Sequence, residues 1–243
     1  MKHLAQILLA IPLLASALEP KTFTDEILSA LADSGICDIH QEKTSAFQQF
    51  FLRALQEGGE KIVGLEITSA KPKDGGNDEA AFVVRQSFQE DNATANFSLD
   101  SFSGNLMNAI KELNDYINEK KARALLIDLR ESGGDDENAA KQFIEFCKGC
   151  KVPLGVLVDG GTHAVAEAIL PELKVAGATL FGVPTSGFPG PRKSVTLSNG
   201  SILHIPQKKS EPLSPDVTIS PTLPWLQIAS DYLIAREIIN TQQ

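Results

Sequence analysis

VPLGVLVDGGTHAVAE, residues 152–167, decides the fold. An apolar run, a Gly-Gly break and a stretch with helical spacing predict a buried strand that ends abruptly and hands over to a helix. Such a junction, at the carboxyl end of a strand, is where α/β proteins place their chemistry. A second copy lies upstream in ALLIDLRESGGDDENAAKQFIEF, residues 124–146, again strand, Gly-Gly and helix. Two Gly-Gly strand ends so close in sequence predict one site built from both.

The neighbouring pattern extends the same architecture. Residues 103–120 carry an apolar stripe of Leu106, Ala109, Ile110, Leu113 and Ile117, which predicts an amphipathic helix. Strands are expected at 61–68, 80–88, 95–99, 124–129, 154–158 and 178–182, helices at 138–146 and after Gly161, and a helix over 225–239. Ser198-Asn199-Gly200 between Val195–Leu197 and Ile202–Ile205 signals a hairpin. Strand and helix alternate through the middle of the chain, so the expected class is α/β with βαβ units and a mostly parallel sheet.

Lys2 and His3, the apolar run Leu4–Leu14 and the triplet Ala15-Ser16-Ala17 predict a secretory signal peptide over 1–17, cleaved near Ala17. The expected location is therefore secreted or periplasmic. The expected domains are a small helical cap over 18–60, with Phe47, Phe50, Phe51 and Leu55 on one face, and an α/β core over 61–243. A formal charge of −9, or −10 once Lys2 is removed, argues against nucleic acid and anionic membrane as partners. No later stretch is apolar enough to suggest membrane insertion. Cys147 and Cys150 have C-x-x-C spacing but follow a helical run instead of opening one, so a structural disulfide is expected over a redox site. Cys37 completes an odd count. No metal or cofactor is expected, and Asp135, Asp136 and Glu137 are expected to cap a helix.

Several segments carry a family resemblance. ALLIDLRESGG resembles the "LILDLRxNPGG" loop of the tail-specific (C-terminal processing) serine peptidases, and VLVDGGTHAVAEAI resembles their "VLVNxGSASASEI" segment. GATLFGVPTSG and SVTLSNGSILHI are similar to two later segments, in the right order, and SPDVTIS is similar to the "PDxxV" segment near the domain end. The resemblance covers roughly residues 94–239. It implies a ClpP/crotonase-like core, export, and cleavage near protein C-termini by a Ser-Lys dyad, in which serine attacks, a neutral lysine takes its proton and backbone amides hold the oxyanion. Residues 60–94 are too few for the family's usual PDZ domain, so none is expected.

The same resemblance puts the nucleophile three residues before Glu167, at Ala164, and the base at Phe188. Alanine has no attacking atom, and phenylalanine accepts no proton. A gapped alignment would put Arg192 at the base position, with Lys193 beside it. Gly133, Gly134, Gly160, Gly161 and Glu167 would frame the oxyanion or bind peptide, while Glu131-Ser132 replaces the family's Asn-Pro. Thr162 and His163 are weak substitutes for the lost groups. Ser186 and Ser194 have no base at recognisable spacing, and His40 and His204 are expected to be structural. The first expectation is a pseudopeptidase that binds a peptide or protein C-terminal segment without cutting it. An active serine or threonine hydrolase with a relocated nucleophile is the alternative. A structural oligomerisation module, and with it a homo-oligomer, is a third.

Overall fold

The computed structural model describes residues 84–241 apart from positions 105, 197, 199, 201, 208 and 209, together with residues 66–68 and the helical positions Glu26, Ser29 and Ala30. The expected signal peptide, most of the helical cap and Cys37 lie outside the described residues. The described elements fall into two compact units.

One unit holds β1 (Glu66–Thr68), β9 (Arg192–Thr196) and β10 (Ile202–Pro206), an antiparallel sheet in the order β1-β10-β9. Its β9–β10 hairpin is the one signalled by Asn199-Gly200, with Thr196 opposite Ile202. This hairpin, expected inside the core, belongs to the smaller unit.

The other unit is a six-stranded sheet flanked by helices. In chain order it comprises β2 (Val84–Gln89), β3 (Thr94–Leu99), β4 (Ser101–Phe102), α1 (Leu106–Lys120), β5 (Ala124–Asp128), β6 (Gly133–Gly134) and α2 (Glu137–Gly149). There follow β7 (Leu154–Val158), α3 (Ala164–Ala168), α4 (Leu170–Val175), β8 (Thr179–Gly182), β11 (Val217–Thr218) and α5 (Trp225–Thr241). The sheet order is β11-β8-β7-β5-β3-β2; all pairs are parallel except the edge strand β2, which runs antiparallel to β3. This is the expected α/β class with a mostly parallel sheet.

Strands β5 and β7 are apolar almost throughout because both faces are covered, as a central parallel strand requires. On one face, Leu106, Ile110 and Leu113 of α1 and Phe143 of α2 pack over Phe97, Ile127 and Val156. Phe143 stacks on Phe97 with ring centroids 6.1 Å apart and meets Phe102 edge-on at 5.5 Å. On the other face, Trp225, Ala229 and Leu233 of α5 cover Ala124, Leu126, Leu157 and Phe181. Gly155 admits α5: a β-carbon there would stand 2.8 Å from Leu233 Cδ1 and 2.9 Å from Leu126 Cδ1. Arg130 grips Asp128 through two bonds of 2.8 and 2.6 Å and lies 5.3 Å above the Trp225 ring, tying the end of β5 to the start of α5.

Three local expectations are refined. Asp136 is the N-cap of α2, accepting from the Asn138 and Ala139 amides at 2.9 and 3.0 Å. The single helix expected after Gly161 is two, α3 and α4, because Pro171 at the start of α4 has no amide to continue the ladder. Among the described residues the expected disulfide is not formed: Cys147 and Cys150 are not bonded to each other and carry free thiols. Cys147 sits in the α2 core face, where burial raises its pKa, while Cys150 leaves the helix in an extended conformation and its thiol meets the Val152 carbonyl at 3.7 Å. No helix among the described residues is long and apolar enough to cross a membrane.

The short strand β11 is pinned by Asp216, whose carboxylate accepts from Lys174 Nζ at 2.6 Å and the Leu180 amide at 2.9 Å. Burial raises the Asp216 pKa, but these donors outweigh it and the net value lies below the usual 3.8. A depressed carboxyl stabilises the fold above its unfolded value and loses that contribution as pH falls through the lower folded value. Asp216→Asn is therefore expected to lower stability at neutral pH by about 1 kcal/mol or less, because the Lys174 pair is more than a third exposed. In urea denaturation the gap to the native chain should close only below pH 3.8. A gap that persists there would contradict the ion-pair account.

Candidate functional site

The loops at the carboxyl ends of β5 and β7 interlock, and a single carboxylate joins them. Asp159 Oδ1 accepts from the Glu131 amide and the Gly161 amide, both at 2.9 Å, so the β7 loop is bonded to the β5 loop. Thr162 completes the knot: its hydroxyl donates to the Leu129 carbonyl at 2.8 Å and accepts from the Asp159 amide at 3.0 Å. Gly161 has no side chain because the Glu131 backbone is in the way, with its Cα 2.9 Å from where a β-carbon would lie.

Ala164 begins α3 with φ at +49°, left-handed backbone that a non-glycine residue adopts only under constraint. It is 1% exposed, and its amide donates to the Phe188 carbonyl at 2.8 Å. The two positions expected for the dyad, 24 residues apart in sequence, therefore meet. They meet through the backbone, with no nucleophilic atom on one side and no base on the other.

Glu167 fixes this encounter. It is 3% exposed, yet its carboxylate accepts from the Thr185 hydroxyl, from Ser186 Oγ at 2.7 Å, from the Gly187 amide at 2.9 Å and from the Phe188 amide at 2.8 Å. The segment 185–188 is thus a strap across the start of α3. Its other edge pairs with 210–213: the Thr185 amide donates to the Leu213 carbonyl at 3.1 Å, and the Ser210 amide to the Gly187 carbonyl at 2.7 Å.

The remaining expected residues divide. His163 is extended; its amide donates to the Ser132 carbonyl at 2.9 Å, and its Nδ1 lies 2.8 Å from the Gly161 carbonyl. A carbonyl only accepts, so Nδ1 carries the proton. The ring lies against Gly133, where any β-carbon would collide with it. The framing role expected of the glycine amides needs correction. The Gly133 amide donates to the Asp100 carbonyl at 3.2 Å and the Gly161 amide to Asp159, so neither is open to an oxyanion. Gly134, with φ at +103°, is a glycine because Phe102 backbone crosses it. Gly160 alone of the four has room, with the Pro184 carbonyl 3.9 Å from where a β-carbon would lie. Glu167 anchors the strap. Thr162, at 0% exposure with its hydroxyl doubly bonded, is a structural threonine and not a substitute nucleophile. Ser186 likewise spends its hydroxyl on Glu167. Lys193 and Arg192 lie on β9 in the other unit, Lys193 opposite Ile205 and Arg192 opposite Pro206.

Sequence reasoning missed one pairing in that unit. Ser194 and His204 are register partners, and Ser194 Oγ lies 3.1 Å from His204 Nδ1. Both are five residues from Asn199, so the hairpin signal already held the information. Among the described residues no group of three or more His, Cys, Asp or Glu could hold a metal ion.

No protein-family model and no curated protein matches this chain. Solved structures similar to it include a candidate peptidase from Parabacteroides merdae, at 16% identity and TM-score 0.44 over 67% of this chain and 66% of that one. The photosystem II D1 C-terminal processing protease is similar at 20% identity and TM-score 0.43, over 72% and 53% of the two chains. A lipoprotein from Streptococcus agalactiae is similar at 14% identity and TM-score 0.45, over 88% and 96%. The chain thus spans less than two thirds of either peptidase's length.

The Thr162 knot is open to test. Thr162→Val keeps the shape but leaves the Asp159 amide without its acceptor and the Leu129 carbonyl with the Ser132 amide alone, so stability measured by chemical denaturation is expected to fall by about 1–2 kcal/mol. A change within experimental scatter would show that the hydroxyl is not structural.

Proposed function

We propose that this protein is a non-catalytic, peptidase-like protein that receives polypeptide tails without cutting them. The observation that carries the reading is Ala164: the elbow keeps its left-handed backbone, buried and bonded to the Phe188 carbonyl, where the attacking atom is missing. The sequence segments that resemble tail-specific peptidases converge here, since Gly133, Ala164, Glu167 and Phe188 all belong to one set of bonded loops. Peptide hydrolysis at this place would need a nucleophile at 164 and a proton acceptor beside it, and the nearby hydroxyls of Thr162 and Ser186 are both committed. The predicted signal peptide supports an extracytoplasmic setting, in which the partner would be an exported chain with an accessible C-terminal segment.

The reading predicts that the frame can be refilled. Ala164→Ser combined with Phe188→Lys is expected to cleave a fluorogenic peptide, and Ala164→Ser alone to be slower by about 10²–10⁴ because a serine without its base attacks poorly. The native chain, immobilised and exposed to a peptide pool, is expected to retain peptides whose termini are unchanged by mass spectrometry. New termini generated by the native chain, or a double variant that folds but is as inert as the native chain, would overturn the reading.

A further inference from the structure

We infer that Ser194 and His204 form a second, nucleophilic site in the smaller unit, reactive toward activated esters. The pair is built by the hairpin. Ser194 on β9 stands opposite His204 on β10, and the hydroxyl lies 3.1 Å from Nδ1, within proton-transfer reach. Directly opposite residues in an antiparallel pair share a face, so the contact follows from the register and needs no rare rotamer. Arg192 lies two residues from Ser194 on the same face of β9.

The contrast with the elbow is in access. Thr162 is fully buried and Ser186 donates into a carboxylate, whereas Ser194 is exposed and its partner is an imidazole. Alternation along β10 explains the division of labour. Leu203 and Ile205 point to the buried face at 0% exposure, leaving His204 on the open one.

With Nδ1 as acceptor, Ser194 Oγ attacks the acyl carbon while its proton passes to His204. The bond to the leaving alcohol breaks, and that alcohol departs with the proton. Water then cleaves the acyl-serine, its proton passing through the same nitrogen, and the carboxylic acid and free hydroxyl are restored. An exposed pair holds a substrate too loosely to activate an amide, so the substrate class is esters with good leaving groups, separate from any peptide chemistry.

A fluorophosphonate probe tests this on the full chain: Oγ forms a phosphorus–oxygen bond and fluoride leaves with the proton. Label is expected at position 194 by peptide mapping, absent in Ser194→Ala and slower by about tenfold or more in His204→Gln. Thr196→Ala, on the same exposed face, is expected to leave it unchanged. The far-ultraviolet circular dichroism of each variant checks that the sheet persists. No label at 194 in the native chain, or a rate that folded His204→Gln leaves unaltered, overturns the inference.

Discussion

A single buried carboxylate, that of Glu167, sets the shape of everything around the elbow. Burying an ionised carboxylate costs several kcal/mol unless its oxygens are satisfied. Here two hydroxyls and two backbone amides, all from residues 185–188, supply that satisfaction. The donors can converge only if the chain after β8 turns back across the start of α3. Gly187 permits that turn with φ at +77°, and a β-carbon on it would press on the Ser210 carbonyl at 2.6 Å. The strap is therefore bonded along both edges, and the Phe188 carbonyl arrives at the Ala164 amide as a consequence.

A second carboxylate, Asp159, has the corresponding role at the strand ends. It joins the β5 loop to the β7 loop through amides of Glu131 and Gly161. Together the two acids convert loose strand-end loops into one bonded body. The glycines beside them serve approach, letting His163 lie on Gly133 and Glu131 on Gly161. That is why the paired Gly-Gly breaks suggest an oxyanion frame from sequence while the structure uses the Gly133 and Gly161 amides internally.

Much of this architecture is legible in the sequence because it depends on period and composition. The apolar runs of β5 and β7, the stripe of α1 and the Asp136 cap are local properties, and each appears where expected. The meeting of Ala164 and Phe188 is legible only through the family resemblance, since nothing local to either residue marks the other. The commitments of the Gly133 and Gly161 amides are not legible, because a backbone amide leaves no trace in residue identity. The two-residue ladder between β4 and β6 is hidden for the same reason. Ser194 and His204 are an intermediate case: the turn at Asn199-Gly200 sets their register, but only pairing the two arms residue by residue brings them together.

The strain at Ala164 shows what holds the elbow in place. A left-handed alanine costs about 1 kcal/mol relative to an ordinary backbone and survives only where its surroundings over-determine it. The surroundings here are the strap on one side, through the Phe188 carbonyl, and the β5 loop on the other, through the Ser132 carbonyl on the His163 amide. Both restraints act on the backbone and are indifferent to the side chain at 164. The elbow's geometry therefore does not depend on which side chain stands at 164. What holds the elbow is then the bonded loops themselves, and above all the Glu167 carboxylate on which their arrangement depends.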